Sequence, residues 1–97
     1  MALKWFQKAA VHGLAAAQRN IGFMYENGDG VGQDIAKALK WFKKAADQGD
    51  VEAQYWIGMM YYNGLGVAQN YAVAFKWFRK AADQGNFAAE RLLESIQ

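Results

Sequence analysis

Apolar residues recur along this chain at helical spacing. Ala38, Trp41, Phe42 and Ala45 fall at i, i+3, i+4 and i+7, and Ala53, Ile57 and Tyr61 fall at i, i+4 and i+8. Glycine interrupts each run. Gly13, Gly49 and Gly85 stand where one kind of helix must stop, as suits a residue that tolerates positive φ. Asp50 and Asn86 follow the second and third of these and offer a side-chain acceptor to the next helix's free amides, whereas Leu14 does not. The clusters NGDGVGQD (Asn27 to Asp34) and NGLGVAQN (Asn63 to Asn70) break the pattern again and close on an Asp or Asn suited to an N-cap. The pattern predicts six helices near 2–12, 15–27, 35–48, 51–63, 71–84 and 87–96, arranged as three antiparallel pairs.

The pairs are copies of one another. ALKWF at Ala2 to Phe6 returns at Ala38 to Phe42 and, as AFKWF, at Ala74 to Phe78, a period of 36 residues. Residues 2–37 and 38–73 agree at 21 of 36 positions, so the period describes the whole unit and not a single motif. Trp5/Trp41/Trp77, the Ala-Ala pairs at 9–10, 45–46 and 81–82, and Ala17/Ala53/Ala89 recur three times; Gly22/Gly58, Tyr25/Tyr61, Gly28/Gly64 and Gly30/Gly66 recur twice. Small residues on facing positions let two helices approach closely, with Trp41, Phe42 and Tyr61 filling the gaps. One pair cannot bury its Trp and Tyr alone, and stacking neighbours does so, which predicts a solenoid.

The stretch AQYWIGMMYYNGLGVAQNYAVAFKWFRKAADQG (Ala53 to Gly85) resembles the Sel1-like repeat, a relative of the tetratricopeptide repeat with a slightly longer unit. The likeness covers nearly the whole chain. It implies an all-α fold, a right-handed α/α solenoid of stacked antiparallel pairs. In the usual phase of that family the complete repeats are 14–49 and 50–85, flanked by half repeats 1–13 and 86–97 within one array, 1–97. Family members are typically adaptors in multiprotein complexes, many of them bacterial. They often carry proline after the Gly-Val pair of the loop; Gly32 and Ala68 stand there in this chain, leaving the loops less rigid. In the last helix Glu94 replaces the glycine of the pattern and Gln97 the tyrosine, as expected of a capping helix, while Leu3, Trp5 and Phe6 lack the helix that would precede them. The first helix is therefore expected to fray or to associate with another copy.

The resemblance also suggests where a partner sits. In tetratricopeptide arrays the first helix of each pair lines the concave surface. Alignment then selects Glu52, Tyr55, Met59, Tyr62 and Asn63 in the central repeat, Ala16, Arg19, Phe23, Glu26 and Asn27 in the first, and Ala88, Arg91 and Ser95 in the last helix. These positions differ between repeats while the core positions agree. Tyr55, Met59 and Tyr62 fall at i, i+4 and i+7 and form one stripe of residue types enriched at interfaces. Two readings stay open: the stripe faces a protein or peptide, with Arg19, Glu26 and Arg91 setting charge preference, or it packs on Phe23 or the neighbouring helix. Trp56, in place of Asn20, fits either.

Composition narrows the chemistry. The chain is 54% hydrophobic and 21% charged, an ordered globular balance, and has no cysteine for disulfides or a thiolate metal site. No apolar run approaches the ~20 residues of a membrane span and no signal-peptide pattern follows Met1, so the chain reads as soluble with no targeting signal. One serine, Ser95, and one histidine, His12, lie at opposite ends, which predicts no enzyme; His12 suits a helix's negative end. Some disulfide-rich relatives are linked to β-lactam binding, to which a chain without cysteine lends no support. Gly28 to Gly32 has no preceding strand and no following Lys-Ser/Thr, so it reads as a loop and not a phosphate cradle. Asp29 and Asp34 lack the alternating ligands of a calcium loop, and neither metal nor cofactor is expected. Lys4, Lys8, Lys37, Lys40, Lys44, Lys76, Arg79 and Lys80 could stripe the second helices, but net charge is only +2 and Asp47 and Asp83 share those helices. That favours a solvated outer face over nucleic acid. The expected function is a non-catalytic scaffold; the alternatives are an excised piece of a longer array without independent function, or a hydrolase-like or nucleic-acid-binding repeat protein.

Overall fold

The computed structural model describes residues 14–96, and the helix expected at 2–12, with His12, Lys4, Lys8 and its self-association, lies outside them. Five α-helices follow: α1 (Ala15–Asn27), α2 (Ile35–Asp47), α3 (Val51–Asn63), α4 (Tyr71–Asp83) and α5 (Phe87–Ile96), with no strand among the described residues. They fall into two compact units, divided after Asp50.

In the first unit α1 pairs with α2. Their shared core is Ala17, Ile21, Ala38, Leu39, Phe42, Ala45 and Ala46, all buried. Gly22 makes the pairing possible. A Cβ built there would lie 2.7 Å from two atoms of the Phe42 ring, so only a residue without a side chain lets the ring cross the helix at that height. In the second unit α3 pairs with α4, and α5 packs on α4. Gly58 and Phe78 repeat the arrangement, with the nearest ring atom at 2.6 Å. Ala53, Ile57 and Met60 of α3 are fully buried, as are Ala74, Phe78, Ala81 and Ala89, and Leu92 and Leu93 of α5 pack against the cluster of the last four.

The loop after each first helix is tied down the same way in both units. Gly28 ends α1 at φ +74 and Gly64 takes φ +71, the left-handed region expected of these positions. The Asp34 amide then donates to the Tyr25 carbonyl at 2.9 Å, and Asn70 to Tyr61 at 2.9 Å. The Gln33 side-chain amide donates to the Glu26 carbonyl at 2.8 Å, and Gln69 to Tyr62 at 2.8 Å. Asp34 and Asn70 cap the next helices, accepting from the Lys37 and Val73 amides at 3.0 and 3.1 Å. Asn86 caps α5, accepting from the Ala89 amide at 2.8 Å. Leu14 makes no side-chain cap bond, as its side chain dictates.

The second helices stop one residue earlier than the apolar pattern implies, at Asp47 and Asp83. Gln48 and Gln84 are the C-caps, and the helix stops there because Gly49 and Gly85 turn left-handed at φ +89 and +97, which lets the Asp50 and Asn86 amides donate back to the Ala45 and Ala81 carbonyls at 3.1 Å. Gln48 Nε2 donates to Oε1 of Gln18 at 2.8 Å, and Gln84 Nε2 to Oε1 of Gln54 at 2.7 Å. Gln18 and Gln54 are the buried polar side chains of the described core. A buried amide demands partners, and the residue just past the helix end supplies one across the pair.

Candidate functional site

The thirteen positions selected from sequence divide between the units, those on α1 in the first and those on α3 and α5 in the second. On α1, Arg19 Nη1 forms an ion pair with Asp50 Oδ1 at 2.6 Å. Both side chains are largely covered, so this charge ties α1 to the end of its own unit. Phe23 is half-buried and meets Phe42 edge-on, with centroids 5.1 Å apart. Glu26 is half-buried and burial pushes its carboxyl above the usual carboxylate range. Asn27 is exposed.

On α3 the Tyr55, Met59 and Tyr62 stripe exists as one helix face, and its inner side rests on the core of its unit. Tyr55 lies 5.9 Å and Tyr62 6.2 Å from the Phe78 ring, centroid to centroid. All three are half-buried. The aromatic chain continues from Tyr62 to Tyr71 at 5.1 Å and from Tyr71 to Phe75 at 6.3 Å, nearly parallel. Trp56 is half-buried and edge-on to Tyr55 at 5.7 Å. Glu52 and Asn63 are exposed at the two ends of α3, and Arg91 is exposed on α5. The arrangement is an aromatic ridge of partly covered rings packed on the core of the second unit.

Sequence reasoning did not anticipate that Arg19 is paired or that Tyr71 extends the aromatic ridge of the second unit. Tyr71 replaces Ile35 at the equivalent position, so the signal was an aromatic substitution outside the first helices.

The remaining candidates sort simply. Asp34 serves as an N-cap, Asp29 gives its amide to Met24, and Ser95 Oγ donates to the Leu92 carbonyl at 2.9 Å. Lys37, Lys40, Lys44, Lys76, Arg79 and Lys80 are exposed. Lys44 Nζ stands 4.4 Å from the Trp41 ring centroid and Lys80 Nζ 5.4 Å from that of Trp77, so equivalent tryptophans have equivalent neighbours. No described helix is long and apolar enough to cross a membrane.

Comparison with known proteins agrees with the repeat. The family model for the Sel1 repeat matches residues 1–13, 15–50 and 51–86. A protective antigen of uropathogenic Escherichia coli strains, displaying an SLR fold, is 42% identical with a TM-score of 0.93; the match covers 97% of this chain and 20% of that one. A Sel1 repeat protein from Oxalobacter formigenes is 40% identical with a TM-score of 0.91, covering 95% of this chain and 69% of that one. Helicobacter pylori cysteine rich protein B is 31% identical with a TM-score of 0.89, covering 93% of this chain and 68% of that one. This chain thus spans a fifth of the first of these proteins and just over two thirds of the other two. No curated protein sequence matches it.

Proposed function

The chain belongs to the Sel1 repeat family, whose repeats are generally protein-interaction scaffolds and typically non-enzymatic, and from that premise we propose that it is a non-catalytic adaptor holding a protein or peptide on its first helices. Each unit presents its own contact set. In the second unit the set is Tyr55, Met59 and Tyr62, with Glu52, Asn63 and Arg91 around them; in the first it is Phe23, Glu26 and Asn27, with Arg19 stiffening the helix through Asp50.

One observation carries this reading. The core and its fastenings recur 36 residues apart almost without change, yet Arg19, Phe23 and Glu26 become Tyr55, Met59 and Tyr62. A scaffold held constant beneath a varying face is how one fold presents different contacts. The tyrosines suit the role because they are braced by Phe78 and only half-buried.

The test is position-specific. A photo-crosslinking residue placed at Asn63 should capture a discrete protein or peptide in cells, and the same residue at Lys40 on a second helix should not. Against that captured species, Tyr62→Phe with Asn63→Arg should weaken binding at least tenfold. Capture from Lys40 alone, or binding unchanged in the double variant, refutes the assignment.

A further inference from the structure

Helix α5 repeats the register of α1 and α3 but not their chemistry. Glu90 stands where α1 and α3 carry the buried Gln18 and Gln54, and Glu94 where they carry Gly22 and Gly58. In both pairs the glycine is what seats the phenylalanine of the second helix, since a Cβ there meets the ring at 2.6–2.7 Å. Glutamate at 94 therefore bars this face from receiving a helix of the α2 or α4 kind in the register of the repeat. The face is not bland, however. Phe87 is 78% exposed, the highest value among the exposed large hydrophobics, and with Ala88, Glu90, Arg91 and Glu94 it lines a shallow depression.

The complementary chemistry is on α4. Among residues 14–96, seven of nine cations lie on α2 and α4, while seven of nine acids lie elsewhere. Lys76 and Lys80 are exposed one turn apart, as are Glu90 and Glu94, so both pairs have the same rise of about 6 Å. The lysines line a second depression together with Ala72, Phe75, Arg79 and, at its end, Asp83; Phe75 is half-buried. A single parallel alignment, offset by 14 residues, sets Glu90 against Lys76 and Glu94 against Lys80, and it points Phe87 between Ala72 and Phe75.

We propose that this α5 face is a self-association surface, and that its occupant is the cationic face of α4 in a second copy of the chain. The ion pairs set register and orientation, and burial of Phe87 against Phe75 supplies the apolar part. Exposed pairs are individually weak, so the complex is a transient one that salt dissolves. None of the residues of the proposed adaptor set except Arg91 takes part, and Arg91 is left unaltered in the test.

Sedimentation equilibrium of the full chain from about 10 μM to about 1 mM reads the association directly. Mass should rise with concentration at about 50 mM salt and fall back at about 500 mM. Glu90→Lys/Glu94→Lys and Lys76→Glu/Lys80→Glu should each weaken association about tenfold, and an equimolar mixture of the two variants should restore it as a heterodimer. Phe87→Ser should weaken it without lowering the melting temperature, because so exposed a ring contributes little to the fold. A monomer throughout the range, association that survives Glu90→Lys/Glu94→Lys, or failure of the mixture to recover would each overturn the proposal. A captured adaptor partner is unaffected by any of these outcomes.

Discussion

At the scale of single residues, Gly22 and Gly58 are the positions with least latitude, because a ring occupies the space their side chains would need. Gly58→Ala has an added neighbour in the Ala74 carbonyl at 3.2 Å, so neither the ring nor the backbone can give freely. Each alanine variant should lose about 1–3 kcal/mol in urea unfolding. Gly32 is the contrasting case. It has negative φ and open space around a Cβ, and Gly32→Ala should leave stability unchanged or raise it by about 0.4–1 kcal/mol through the unfolded chain. Glu26 gives a pH-dependent effect. Burial raises its folded pKa above 4.5, so the folded state binds a proton more readily than the unfolded one, and the associated stability is present below pH 4.5 and lost as pH rises through the folded value. Glu26→Gln should therefore flatten the fall of melting temperature between about pH 4 and pH 7, and a variant whose pH profile overlays the parent's would contradict this.

At the scale of elements, helix ends are fixed by side chains that lie outside the helices. Asp34→Ala and Asn70→Ala each remove the acceptor of a first-turn amide and should cost about 1 kcal/mol in the same unfolding measurement. Gln84 looks dispensable by exposure alone, yet Gln84→Ala removes a bond to the buried Gln54 and should cost about 0.5–1.5 kcal/mol. The existence of five helices was legible because apolar spacing and the glycine stops agree, and their ends were legible to within one residue. The glycine stops at Gly49 and Gly85 were legible; the bonds from Gln48 and Gln84 to the buried Gln18 and Gln54 were not, since they depend on which side chains the pairing of helices buries.

At the scale of the whole molecule, the governing fact is equivalence at 36 residues. The same substitution at equivalent sites should then have the same consequence: Gly22→Ala with Gly58→Ala, and Asp34→Ala with Asn70→Ala, should agree within about 0.5 kcal/mol. A much larger spread would mean that unit identity, and not repeat position, sets the local energetics. Period, helical class, the Asp34, Asn70 and Asn86 caps and the family were all determined by the sequence, because each depends on interactions within a few residues or on a pattern that repeats. The identity of the partner-facing candidates was legible only as a list. Tertiary structure decided what each of them is: Arg19 is tied to Asp50, Phe23 rests on Phe42, and Tyr55 and Tyr62 lean on Phe78 and stay half-buried. The reason is physical. Helical spacing says which side chains share a face, but how far a neighbouring ring covers that face depends on the distance between helices, which a glycine sets from the other side of the contact.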